Sequence, residues 1–145
     1  MNFVYQNDNS IETGNCMSAC VASVLGLHIE EVPNFHHKKI NTMTAQLKNV
    51  RKFLKQFDLT IISIVANPKN YWQVEPEMLF IAGVVSPNRD DCCHAVIGKF
   101  NSRDRFIQVF DPNPEASPAR PAKHKDLLSI HFIIDINIGD RPYGI

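Results

Sequence analysis

The chain has 145 residues, a length that suits one domain, 1–145, with a core of its own. Its 15 basic and 15 acidic side chains balance, and no basic run exceeds two residues, which excludes the electrostatic signature of a nucleic-acid-binding or membrane-surface protein. Residues 1–8 lack the segments of a secretory signal, and no apolar run approaches the roughly 18 residues of a membrane span. We therefore expect a cytoplasmic protein with reduced cysteines.

The first predicted helix begins at Cys16 and ends before Gly26. Asn15 is of a residue type that caps helix N-termini, and glycine is a frequent C-terminal stop. Cys16 would then occupy the first turn, where the partial positive charge of the helix stabilises a thiolate and lowers the cysteine pKa. A free cysteine is also often a small buried hydrophobe. We expect that buried role for Cys20, whereas both roles stay open for Cys16 until a partner is found.

A second helix and a series of strands follow along the chain. An apolar stripe at alternating spacings of four and three residues predicts an amphipathic helix from Met43 to Phe57. Runs of β-branched and apolar residues predict strands at 59–65, 78–85, 94–100, 105–110 and 127–138, with a short one at 3–6. The run 78–85 is apolar throughout, as in a central strand covered on both faces. We expect an α+β fold in which the nucleophile-bearing helix packs on an antiparallel sheet.

The hairpin in the second half of the chain supplies a partner for the cysteine. If its loop has four residues, 101–104, the register places His94 opposite Asp111. Opposed side chains lie about 4.5–5.5 Å apart at Cβ, so an imidazole and a carboxylate can hydrogen-bond there. A cysteine at a helix N-terminus, a histidine and an orienting carboxylate are the three groups of a thiol nucleophile system. We predict that Cys16, His94 and Asp111 act together as a catalytic triad.

Six short motifs also form an ordered pattern: Gln6, Gly14-Asn15-Cys16-Met17-Ser18-Ala19-Cys20, Leu25-Gly26-Leu27, Glu31-Val32-Pro33-Asn34-Phe35, His94-Ala95-Val96-Ile97-Gly98 and Asp111-Pro112-Asn113-Pro114. The pattern resembles a mostly uncharacterised family of small papain-like cysteine hydrolases of bacteria and phages. The resemblance implies a papain-like fold, the triad Cys16, His94 and Asp111, and an oxyanion hole formed by the Gln6 amide and the Cys16 backbone N–H. It implies a thiol hydrolase that cleaves a peptide, isopeptide or other amide bond through an acyl-enzyme.

Other functions stay open. The same triad can deamidate a side chain or transfer an acyl group to an amine. A non-catalytic module is a further alternative, either a peptide-binding adaptor or a zinc-bound domain, because Cys16, Cys20, Cys92, Cys93 and His94 offer enough ligands for tetrahedral zinc. For the enzyme we expect no cofactor and no metal, a peptide or protein substrate as the partner, no nucleic acid and no membrane. The sequence leaves the oligomeric state open.

Overall fold

A computed structural model describes residues 1–10, 14–36, 42–87, 93–116 and 120–137. In this part of the chain the helices are α1 (Cys16–Leu25) and α2 (Met43–Leu54), and the strands are β1 (Leu59–Val65), β2 (Phe80–Val85), β3 (Cys93–Phe100), β4 (Phe106–Phe110) and β5 (Leu127–Asp135). The strands pair antiparallel in the order β1-β5-β2-β3-β4. The α+β prediction is confirmed. No described helix has the length and apolar character needed to cross a membrane.

The sheet separates two apolar clusters, because successive residues of a strand point to opposite faces. One cluster joins the helices to the sheet and includes Val21, Leu54, Ile61, Ile81 and Ile97. The other covers the opposite face and includes Tyr71, Phe80, Val96, Phe100 and Ile130. Strand β2 lies inside the sheet with five of its six residues buried, which confirms it as a central strand.

The helix ends follow the sequence signals in part. Gly26 adopts the left-handed conformation (φ 70°) that ends α1, as predicted. Thr42 caps α2 by accepting the Ala45 N–H at 3.1 Å. The predicted extension of α2 to Phe57 is wrong in detail, because Lys55–Phe57 tightens into a 3₁₀ turn. The predicted strand at 3–6 is also wrong, since that segment belongs to no sheet.

The hairpin of β3 and β4 has a register different from the predicted one. Phe100 pairs with Phe106, so the loop has five residues instead of four. The cause is visible in Asn101, whose Oδ1 accepts the N–H groups of Arg103 and Arg105 at 2.9 and 3.0 Å. These bonds close a longer turn than a four-residue loop would allow. Asp111 therefore lies beyond the end of β4 and is not the direct partner of His94 in the ladder.

A β-bulge compensates for this change of register. Gly98 lies opposite Gln108 whereas Ile97 lies opposite Phe110, so Val109 is an extra residue on β4. Without the bulge the register would continue to Pro112 opposite His94, with Asp111 on the other face. Because one added residue reverses the alternation of side chains, the bulge returns Asp111 to the face of His94.

Candidate active site

The candidate nucleophile lies where the first turn of α1 meets an open edge of β3. The last pair between β3 and β4 joins Ile97 and Phe110, so the edge of β3 at Ala95 is not paired with β4. Cys16 reaches this edge, is half-buried, and accepts hydrogen bonds from the backbone N–H groups of Ala95 and Met17. Its side chain is also hydrogen-bonded to His94. The helix start and the sheet edge thus both supply donors to the sulfur.

His94 connects the thiol to a carboxylate. Its Nε2 lies 2.6 Å from Asp111 Oδ1, and the two side chains are only 13% and 11% exposed. Because Asp111 engages Nε2, the ring nitrogen that remains for the thiol is Nδ1. Asp111 Oδ1 also accepts the Asn113 N–H at 2.9 Å, which holds the carboxylate in place. The three residues that the sequence predicted to act together therefore form one hydrogen-bonded chain.

The electrostatic interactions among Cys16, His94 and Asp111 favour charge separation between the thiol and the imidazole. Burial raises the pKa of Cys16, but the hydrogen bond to His94, the His94 charge and the two backbone donors outweigh it and bring the pKa below its usual value. Burial lowers the pKa of His94, but its bonds to Asp111 and Cys16 dominate and raise that pKa to about 10. Both shifts favour the thiolate–imidazolium form of the pair over the neutral form. A thiolate is the reactive form of cysteine.

Cys20 shows what the same side chain does one turn further along α1. It is fully buried, and burial together with the negative charges of Cys16 and Asp111 raises its pKa well above the usual value. A thiol in that state is inert and packs as a small apolar group. The buried role predicted for Cys20 is confirmed by its burial.

Gln6 lies beside the loop that carries Asp111. It is 7% exposed, and its backbone N–H donates to the Pro112 carbonyl at 2.8 Å. Its Nε2 donates to the Asp8 carbonyl at 2.9 Å, while its buried Oε1 has no hydrogen-bond partner among the described residues. A buried acceptor without a partner costs about 1–3 kcal/mol, so the described residues satisfy the Gln6 amide only in part.

Asn15 has a role that sequence reasoning missed. Its side chain makes no capping bond to α1, so the predicted side-chain N-cap is wrong. The Oδ1 atom instead accepts the N–H groups of Asn7 and Asp8 at 3.2 and 3.0 Å. The polar run from Asn7 to Ser10 is of a kind that forms side-chain-to-backbone turns, and that was the available signal. Gly14 permits the close approach, because a Cβ there would lie 2.4 Å from the Ser10 carbonyl oxygen.

The zinc alternative finds little support in the described geometry. The described residues contain no group of three or more His, Cys, Asp or Glu side chains placed to hold a metal ion. Cys16 and His94 bond to each other, and His94 also bonds to Asp111. Cys92, which the zinc hypothesis included, lies outside the described residues.

Comparison with known proteins gives one informative match. No protein-family model matches the chain, and no curated protein matches it. Among solved structures, the chain is similar to the peptidase domain of Streptococcus ComA, a bi-functional ABC transporter involved in a quorum-sensing pathway. The TM-score is 0.57 at 17% identity, with 90% of this chain and 95% of that domain covered. The fold is papain-like. The order of helix and antiparallel strands that the sequence predicted thus corresponds to a known peptidase architecture.

Proposed function

We propose that this papain-like protein is a thiol hydrolase that cleaves an amide bond in a peptide or protein. Cys16 is the nucleophile, His94 the general base and acid, and Asp111 the residue that orients His94. The observation that carries the proposal is the hydrogen-bonded chain from the Cys16 thiol through His94 to Asp111. The likeness to a peptidase domain and the motif pattern of small bacterial and phage hydrolases support the same conclusion.

In the first half of the reaction the Cys16 thiolate attacks the substrate carbonyl carbon and forms a carbon–sulfur bond. The carbon–nitrogen bond then breaks, and His94 transfers its proton to the leaving amine. The product is a thioester on Cys16 and a neutral imidazole. Asp111 keeps Nε2 engaged throughout, so the ring presents Nδ1 to the reacting groups.

In the second half neutral His94 takes a proton from a water molecule, which attacks the thioester. The carbon–sulfur bond breaks, the acid is released and the thiolate–imidazolium pair is restored. An amine in place of water would give acyl transfer, and a side-chain amide in place of a peptide bond would give deamidation. Analysis of the reaction products by mass spectrometry separates these outcomes.

The negative oxygen formed at each step needs hydrogen-bond donors. One is the Cys16 backbone N–H in the first turn of α1, which has no partner inside the helix. The other is Gln6, whose Nε2 carries a second hydrogen besides the one donated to Asp8. A donor of this kind contributes about 10²–10³ in rate. We assign Gln6 and the Cys16 N–H to the oxyanion hole.

Selective alkylation tests the nucleophile without an assumed substrate. Iodoacetamide at neutral pH should label Cys16 much faster than the other thiols, because a lowered pKa raises the fraction of the thiol present as thiolate. Cys16→Ala should remove the fast label, whereas Cys93→Ala, which changes an exposed thiol, should keep it. Peptide mass spectrometry locates the label. Equal labelling of Cys16 and the exposed thiol would contradict the proposal.

A further inference from the structure

Asn15 directs its entire side chain at the loop that follows Gln6. It is 8% exposed, and its Oδ1 accepts the N–H groups of Asn7 and Asp8. Its Nδ2 donates to Asn7 Oδ1 at 2.6 Å, and its own backbone N–H donates to the Asp8 carbonyl at 3.2 Å. Three hydrogen bonds to peptide groups and one to the Asn7 side chain therefore fix the segment around Asp8 to the residue that precedes Cys16.

The Asp8 carbonyl in turn fixes the amide of Gln6. It accepts Gln6 Nε2 at 2.9 Å in addition to the Asn15 N–H. Turning the Gln6 amide by half a rotation would set its Oε1 against the Asp8 oxygen, and two acceptors repel. The direction of the remaining Nε2 hydrogen therefore depends on where the Asp8 peptide lies, and Asn15 determines that position.

We propose that Asn15 is a positioning residue that holds the Gln6 amide at a fixed position and orientation relative to the Cys16 sulfur. This inference rests on the proposed function, in which Gln6 donates to the oxyanion. Asn15 is bonded covalently to Cys16, and it contacts Asp8 through both its backbone and its side chain, so donor and nucleophile are held by one residue. A substitution at Asn15 loosens the oxyanion donor and leaves the contacts of the thiolate with His94 in place.

Two reactions of the same thiolate isolate this effect. With p-nitrophenyl acetate, Cys16 forms a carbon–sulfur bond at the carbonyl, p-nitrophenolate leaves, and the step passes through an oxyanion. With iodoacetamide the thiolate displaces iodide, and no oxyanion forms. The ratio of acylation rate to alkylation rate thus reports the oxyanion donors and is independent of the thiolate pKa.

Asn15→Ala should lower this ratio about 10–100-fold, a part of the full 10²–10³ of an oxyanion donor. Its alkylation rate should stay within about twofold of wild type. Asn67→Ala is the matched control, because Asn67 Oδ1 also accepts a backbone N–H group, that of Lys69, in the turn after β1. It should leave the ratio unchanged. An equal fall in both rates for Asn15→Ala would overturn the inference, since it would indicate general damage to the site.

A double-mutant cycle sharpens the test. Gln6→Ala combined with Asn15→Ala should lower the ratio no further than Gln6→Ala alone, because both remove the same donor. If the fold-reductions of the two single variants instead multiplied in the double variant, the inference would be overturned. Asn15→Asp should recover part of the ratio, because its carboxylate accepts the same two N–H groups but lacks the Nδ2 donor to Asn7 and adds a negative charge near the oxyanion. A wild type that reacts with p-nitrophenyl acetate no faster than free cysteine would instead contradict the proposed function itself.

Discussion

Two histidines of the sheet, the largely buried His94 and the fully buried His131, differ in which protonation state their surroundings favour. His94 lies at the start of β3 with a carboxylate 2.6 Å from its Nε2, and its pKa is raised to about 10. His131 lies inside β5, only 1% exposed, and burial lowers its pKa to about 4. Burial acts in the same direction on both rings, so the hydrogen-bond partners decide which one is charged.

The partners of His131 are hydroxyl groups. Ser63, its direct partner on β1, lies 2.7 Å from Nδ1, and Ser129 lies 2.9 Å from Nε2. Gly83 provides the room, because a Cβ there would lie 2.3 Å from the Ser129 hydroxyl oxygen. A neutral imidazole has one donor and one acceptor nitrogen, and two hydroxyls satisfy both. The comparison shows that a carboxylate partner favours the charged form of a histidine in this sheet, whereas two hydroxyl partners satisfy the neutral form.

Replacing each histidine in turn tests this difference, and the largest effect is expected for His94 on the reactivity of Cys16. His94→Gln should lower p-nitrophenyl acetate turnover about 10²–10⁴-fold, the range of a lost general base. His131→Gln should lower the free energy of unfolding but leave turnover of the folded protein within about twofold. Turnover and urea unfolding of both variants provide the check. Comparable losses of turnover in the two would contradict the division of roles.

A smaller effect is expected from removing the carboxylate. Asp111→Ala should reduce turnover about 10–100-fold, because a hydrogen bond to a charged group contributes roughly 1.5–3 kcal/mol. The pKa of His94 should fall, so the alkaline limb of the pH–rate profile should move to lower pH by about one to two units. Asp126→Ala is the control, since among the described residues that carboxylate accepts the Lys123 N–H in a 3₁₀ turn, on a part of the chain separate from His94. An alkaline limb at the same pH as in wild type would contradict the role of Asp111 as the partner that raises the pKa of His94.

The pH dependence of stability should report His131. Its folded pKa of about 4 lies below the unfolded value of 6.5, so the unfolded chain binds the proton more tightly. The contribution of neutral His131 to the free energy of unfolding should therefore be complete above pH 6.5. It should fall by about 1.4 kcal/mol per pH unit as the pH drops towards 4. Below about pH 6 His94 is protonated in both the folded and the unfolded chain, so it contributes little slope there. His131→Gln should flatten the urea-derived slope, and an unchanged slope would count against this account.

The smallest effect is expected from removing one hydroxyl partner. Ser63→Ala should lower the free energy of unfolding by about 1 kcal/mol, the typical net contribution of one hydrogen bond. Cys16 alkylation should not change, because the bond concerns only His131 and β1. Urea unfolding and the alkylation rate together give the measurement. A slower alkylation at unchanged stability would show that the His131 cluster serves the active site.

Local signals in the sequence predicted the elements of the fold well. Strand β1 begins and ends at the predicted residues, and α1 begins at Cys16 and ends before Gly26. These elements depend on periodicity and on terminal residues, which act over a few positions. The strand order could not be predicted, because pairing of β5 between β1 and β2 depends on contacts between residues far apart in the chain.

The candidate site was predicted in its members but not in its geometry. The register argument for His94 and Asp111 assumed a four-residue loop and an unbroken ladder, and the structure has neither. Two departures offset each other, the longer loop at Asn101 and the extra residue at Val109. Asn15 was missed because a helix N-cap is the commonest use of an asparagine before a helix. Its actual partners depend on how residues 7–8 fold back, which no local pattern records.

The bulge at Val109 sets how the length of β4 can change while Asp111 keeps facing His94. Deleting Val109 would close the ladder with Phe110 still opposite Ile97, so the carboxylate would stay on the face of the imidazole. One residue added between Val109 and Phe110, with the bulge kept at a single residue, would instead turn the carboxylate to the other face. This strand can therefore be shortened by one position without cost to the triad geometry, whereas lengthening it by one position separates the carboxylate from its ring.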